Sequence, residues 1–147
     1  MLNIAFDLKN QIISDLESSS NLEKISYENL LIIGMGGSGV AGDVMKVLSN
    51  EISDKNIIVH KDYSIPKQFL KFRPLCLFIS YSGNTEETLS GISDAKKNNL
   101  DWIVISSGGK LIDIAQEEGK EYIKIPSGLQ PRAAFGYLTL ALSLIHI

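Results

Sequence analysis

Two apolar runs, each ending in a turn of small and hydroxylated residues, constrain this chain more than any other feature. The first is Leu31-Ile32-Ile33-Gly34-Met35-Gly36-Gly37-Ser38-Gly39-Val40-Ala41-Gly42-Asp43, the second Leu77-Phe78-Ile79-Ser80-Tyr81-Ser82-Gly83-Asn84-Thr85-Glu86-Glu87-Thr88. Each reads as a buried strand entering a tight turn and then a helix, which gathers hydroxyls and unpaired N–H groups at a helix N-terminus. Such an arrangement receives anions. One loop offers glycine backbone and the other offers Ser80, Ser82 and Thr85, so a phosphate can be surrounded from two sides. No grouping of residues suggests a metal.

The remaining apolar runs alternate with amphipathic stretches, a βαβ pattern. Strands are expected at Leu30–Gly34, Ile57–Lys61, Leu75–Ser80, Trp102–Ser106 and Tyr122–Ile125, and helices at about Ile4–Glu17, Gly39–Leu48, Glu86–Asn98, Leu111–Glu118 and Arg132–His146. Ser64–Phe69 reads as a short turn. Strands without polar alternation are buried on both faces, so an α/β fold is expected: a three-layer αβα sandwich around a five-stranded parallel sheet. Ligands of such sheets sit beyond the carboxyl ends of the strands, where both serine loops fall. No internal repeat or long linker divides the 147 residues, which suit one domain.

A formal charge of −3 gives no basic excess for nucleic acid or an anionic membrane. The single cysteine, Cys76, lies within an apolar run and reads as a small buried hydrophobe; with no disulfide framework the chain suits a reducing cytoplasm. The start lacks the basic stretch and apolar core of a signal peptide. Ala133 to Ile147 carries no charged residue apart from His146 when protonated, yet is shorter than the ~20 apolar residues that span a bilayer. A buried helix is expected there, apolar all round and ending without a cap, so that the chain stops inside an element and would self-associate if that helix were left uncovered.

The first loop admits a second reading. Gly34, Gly36 and Gly39 satisfy the G-x-G-x-x-G spacing of a dinucleotide site, and Asp62 lies near where a ribose-binding carboxylate would stand. Against it, Ser38 adds a hydroxyl that a dinucleotide loop does not need. In the second loop Asn84 and Glu87 can form a capping box, while three hydroxyls exceed what one cap requires.

Both loops, together with Pro126-Ser127-Gly128-Leu129-Gln130-Pro131-Arg132-Ala133-Ala134, resemble the bifunctional phosphoglucose/phosphomannose isomerases of the sugar isomerase (SIS) domain superfamily. The resemblance runs from about Leu30 to Tyr137. It implies a SIS domain that is the N-terminal half of a two-domain, cytoplasmic homodimer. It implies also that Gly36, Gly37, Ser38, Ser80, Ser82 and Thr85 hold the phosphate of glucose 6-phosphate, mannose 6-phosphate or fructose 6-phosphate, with no cofactor.

Aldose–ketose isomerisation moves a proton between adjacent carbons through a cis-enediolate, so it needs a base and a group that stabilises developing negative charge. By resemblance Arg132 is that group. The family's glutamate base, with a histidine and a lysine, comes from the second domain and falls beyond Ile147. Glu86 and Glu87 lie too near the phosphate to replace it, and His60 reads as a solvated strand end. Lys96-Lys97 reads as a helix end, Trp102 as core, and Ser106-Ser107-Gly108-Gly109-Lys110-Leu111 as a turn that could close over the sugar. A sugar-phosphate-binding regulatory module without chemistry remains the other sequence-compatible function, alongside the dinucleotide site.

Overall fold

The computed structural model describes residues 8–19, 22 and 25–145. Along Leu30–Ile33 and Leu75–Ile79 every side chain is buried, and successive residues turn to opposite faces. Leu30, Ile32, Leu77 and Ile79 join one apolar cluster and Leu31, Ile33, Cys76 and Phe78 the other. Two cores on one sheet dictate a three-layer sandwich.

The elements in chain order are α1 Leu8–Ile12, β1 Glu17–Ser18, β2 Asn29–Gly34, α2 Gly36–Ile52, β3 Asn56–His60, α3 Lys67–Leu70, β4 Leu75–Ser80, α4 Glu86–Lys97, β5 Trp102–Ser106, α5 Gly109–Glu117, β6 Tyr122–Lys124, a 3-10 turn Pro131–Ala134 and α6 Phe135–Ser143. The strand order is β1-β6-β5-β4-β2-β3. Strands β2 to β6 are parallel, with Leu30 beside Ile57 and Leu75, and Ser80 beside Ser106. The α2 and α6 side chains cover the first cluster, while α4 and α5 cover the second.

The five expected strands all form, but the sheet has a sixth. Glu17 and Ser18 pair antiparallel with Lys124 and Ile123, covering the edge of β6. This corrects the helix expected over Ile4–Glu17: within the described residues it is Leu8–Ile12, and residues 4–7 lie outside them. The open β6 edge and the Lys124–Glu17 ion pair at 3.6 Å draw the polar segment into extended form.

Helix α2 begins three residues before the expected Gly39, at Gly36, so the glycine loop is itself the first helical turn. Gly39 lets that turn lie on the sheet, since a Cβ there would stand 2.6 Å from the Gly34 carbonyl oxygen. Burial pushes the Cys76 thiol up to about 12, with the Asp101 carboxylate adding to the effect. Trp102 is core, edge-on to Phe78 at 6.2 Å.

The apolar C-terminal helix is packed into the domain, in line with the buried helix expected. Leu138, Ala141 and Leu142 of α6 are fully buried, packed among the first cluster, and α6 also contacts α1. No helix among the described residues is long and apolar enough to cross a membrane.

Candidate functional site

Chain order places β3 outside β2 and then returns to set β4 on the other flank of β2. At such a reversal the loops leaving the two central strands diverge and open a crevice. The loops after β2 and β4 are the two motifs of the sequence, and the crevice they line is a cleft of about 480 Å³. Its walls are Met35, Gly36, Gly37, Ser38, Ser80, Tyr81, Ser82, Thr85, Gln130, Pro131 and Arg132. All seven residues expected to bind phosphate or act in catalysis are in that set.

On the α2 side, Gly36 has φ +52°, a left-handed conformation that glycine adopts without cost. The N–H groups of Ser38 and Gly39 turn back to the Met35 carbonyl, at 3.1 and 3.3 Å. Those of Gly36 and Gly37 find no acceptor among the described residues, and Met35 provides no side-chain cap. The positive end of a seventeen-residue helix thus faces the cleft with its first amides free.

The β4 side provides the hydroxyls. Ser80 is almost wholly buried; its Oγ lies 2.7 Å from Thr85 Oγ1 and 3.4 Å from Ser82 Oγ, and accepts the Gly83 N–H at 3.1 Å. The expected capping box at Asn84 and Glu87 does not form. Thr85 is the N-cap position of α4, and Asn84 instead donates to the Ser82 carbonyl and accepts from the Lys110 N–H. Thr88 is buried on α4 away from the cleft walls, its hydroxyl without a partner among the described residues.

Gly108 and its neighbours do not line the cleft; they buttress its serine loop from behind. Ser107 donates through N–H and hydroxyl to the Tyr81 carbonyl, at 3.1 and 2.6 Å, and the Leu111 N–H reaches the Gly83 carbonyl. A Cβ on Gly83 would lie 1.7 Å from the Gly108 carbonyl oxygen. The turn is thus held in fixed contact with the serine loop.

The third segment is tied to the second by Tyr81, whose hydroxyl donates to the Pro126 carbonyl at 3.1 Å and accepts the Leu129 N–H at 2.8 Å. The chain then turns at Pro131 and crosses the glycine loop, the Pro131 oxygen and Arg132 Cα lying 3.5 and 3.7 Å from where a Cβ of Gly37 would be. The Arg132 side chain is exposed and makes no ion pair with any described residue. Tyr81 and Gln130 belong to the second and third motif segments but were not expected to line the site.

Neither carboxylate nor imidazole lines the cleft among the described residues. His60 is engaged 2.7 Å from the Ser64 carbonyl oxygen, and His146 lies outside the described residues. A larger cavity of about 660 Å³ opens at the amino ends of β2, β4 and β5, where Arg73 and Lys120 mix with Glu28, Asp101 and Glu121. Its charges of both signs recognise no one ligand class, whereas the smaller cleft gathers free amides, hydroxyls and one cation, with no carboxylate among the described residues.

The dinucleotide alternative gains nothing from this geometry. Counting the parallel strands alone, the order is 2-1-3-4-5, not the 3-2-1 half of a dinucleotide fold. The Asp62 carboxylate accepts its neighbour's N–H from Tyr63 at 2.7 Å and does not line the cleft.

Comparison with known proteins agrees with the three motifs. The chain is 40% identical over 129 residues to a bifunctional phosphoglucose/phosphomannose isomerase of Caldicellulosiruptor bescii, covering 88% of this chain and 38% of that protein. It is 35% identical over 125 residues to a D-glucosamine-6-phosphate 4-epimerase of Sulfolobus acidocaldarius, covering 84% of this chain and 37% of that one. The chain therefore spans well under half the length of these relatives. Among solved structures, the Vibrio vulnificus NanR protein complexed with ManNAc-6P superposes with a TM-score of 0.66 at 17% identity, over 99% of this chain and 59% of that one, a likeness of fold alone. The family match itself, to the SIS domain, covers residues 25–144, and the chain belongs to that family.

Proposed function

We propose that this chain is the phosphate-binding half of an aldose–ketose isomerase that interconverts glucose 6-phosphate or mannose 6-phosphate with fructose 6-phosphate. The observation that carries the reading is the composition of the cleft: free helix-terminal amides at Gly36 and Gly37, the hydroxyls of Ser38, Ser80, Ser82 and Thr85, and Arg132, with neither an ion-pair partner for Arg132 nor a carboxylate to repel a dianion among the described residues. Both of these curated relatives bear names of enzymes that act on phosphorylated sugars, and the isomerase is the more similar of the two.

In this reading the phosphate docks between the two loops, held by neutral donors that bind it without a fixed counter-charge. The sugar then extends toward the Pro131–Arg132 turn. Removing the proton from C2 of the opened aldose leaves an enediolate, and the Arg132 guanidinium takes up the charge that develops on its oxygens. The proton returns at C1. A glutamate from a second domain serves as the base, which accords with the lack of any acid or base among the described cleft residues.

The whole protein is, on the same reading, a two-domain cytoplasmic homodimer, with this chain as its N-terminal domain. The exposed apolar stripe of Val40, Val47, Leu48 and Ile52 along α2 supports an association surface. The lack of a base among the described cleft residues also suits a binding module without chemistry. A coupled assay distinguishes the two: the intact protein converts fructose 6-phosphate to both aldose phosphates, the 147-residue chain alone binds it without turnover, and an intact protein that binds without turnover is the regulatory module instead.

A further inference from the structure

Helix α1 stands outside the repeating strand–helix pattern, yet it carries a deeply buried polar side chain. Gln11 is 1% exposed. Its Nε2 donates to the Ala133 carbonyl at 2.9 Å, and its Oε1 accepts the Gly136 N–H at 3.0 Å. One carboxamide thus bridges the junction at which the 3-10 turn becomes α6, beginning at the residue immediately after Arg132.

The approach is close because position 136 is glycine. A Cβ there would lie 2.6 Å from Gln11 Cβ and 2.9 Å from Leu8 Cδ1. Ahead of Arg132, the Tyr81 hydroxyl holds the same segment at Pro126 and Leu129. Arg132 is therefore suspended between two clamps, of which only Tyr81 belongs to the cleft.

We propose that Gln11 is a positioning residue for Arg132: its buried carboxamide fixes the turn from behind, so that the guanidinium is presented to the sugar end of the ligand. Gln11 touches no ligand. The proposal rests on the reading of the cleft as a hexose 6-phosphate site and assigns to α1 the task of ordering that site's cation. Losing the bond to Gly136 leaves a buried N–H without its side-chain acceptor, and losing the bond to Ala133 releases the turn, which frees it to shift.

The test uses calorimetry on the intact protein with two probes, fructose 6-phosphate and inorganic phosphate. Gln11→Met, close in volume and unable to hydrogen-bond, is expected to weaken fructose 6-phosphate about fivefold and to leave inorganic phosphate, held by the serine and glycine loops, unchanged. In an Arg132→Ala background the same substitution is expected to have no further effect, since coupled residues are non-additive. Gln11→Leu likewise cannot hydrogen-bond and is expected to give the same loss; it provides the same readout if the methionine variant does not fold. Equal weakening of both probes, no weakening of either, or the same loss with and without Arg132 overturns the proposal. Lack of isomerisation by the wild type, with the Gln11–Arg132 coupling intact, counts against the catalytic reading alone.

Discussion

The Ser80 and Thr85 hydroxyls meet at 2.7 Å within the second motif, and the same Ser80 oxygen accepts the Gly83 N–H. Ser80 is buried and Thr85 partly open, so the pair links the floor of the cleft to its mouth. Ser80→Ala and Thr85→Ala are each expected to weaken fructose 6-phosphate binding by about 1–2 kcal/mol. Because the two hydroxyls bond to each other, the double variant should lose less than the sum. Calorimetry on the four proteins measures the cycle, and unchanged affinity in the double variant would put the phosphate elsewhere.

Two glycines with positive φ have opposite surroundings. Gly36 has open space where a Cβ would be, whereas Gly83 has the Gly108 carbonyl oxygen at 1.7 Å. Gly36→Ala is expected to cost only the conformational penalty, about 1–2 kcal/mol. Gly83→Ala must in addition push the serine loop off its buttress. Denaturant unfolding should show the larger loss in Gly83→Ala, and equal losses would mean that the contact with Gly108 yields easily.

Alkaline pH should destabilise the fold in a defined window. Burial pushes the Cys76 thiol from near 9.0 up to about 12 and the Tyr27 phenol from near 10.0 up to about 12. Above their ordinary values the unfolded chain releases protons that the folded chain retains. Unfolding is therefore favoured progressively from about pH 9 to about pH 12, with the full stability present below that range. Cys76→Ala should flatten the lower part of the slope, although its smaller side chain lowers stability at every pH. A Cys76→Ala slope identical to wild type between pH 9 and 10 would show that the thiol does not contribute.

Arg132→Ala in the intact protein is expected to lower kcat about 10²–10³-fold with a much smaller change in KM, the signature of an interaction made in the transition state. Arg132→Lys should restore part of the rate, since it returns the charge without the fork. A rise in KM with kcat unchanged would place Arg132 on the ground-state substrate only.

The strands were legible because Leu30–Gly34 and Leu75–Ser80 are apolar on both faces, a pattern few other environments tolerate. The cleft-lining residues were legible because each motif keeps them within a few positions. What the sequence concealed depended on distant partners. Glu17 and Ser18 have no hydrophobic signal and become a strand only because β6 leaves an edge open. Gly36 and Gly37 weaken a helix locally, and so read as loop, although the helix begins there. Asn84 was read as a cap, but its acceptor is taken by Lys110 across the sheet end. Gln11 and Gly136 are joined only in the folded chain, and neither has a neighbour in sequence that hints at the other.

The central claim is that a hexose 6-phosphate occupies the cleft between the glycine loop, the serine loop and the Pro131–Arg132 turn. Amide NMR of the isotope-labelled chain titrated with fructose 6-phosphate tests it most directly. The predicted result is a saturable shift of Gly36, Gly37, Ser82, Gly83, Thr85 and Arg132 with one common affinity, while Trp102 and Lys120 at the opposite end of the sheet remain still. Saturable shifts at Trp102 and Lys120 with Gly37 and Thr85 unmoved, or a response to a nicotinamide dinucleotide and none to the sugar phosphate, would contradict it.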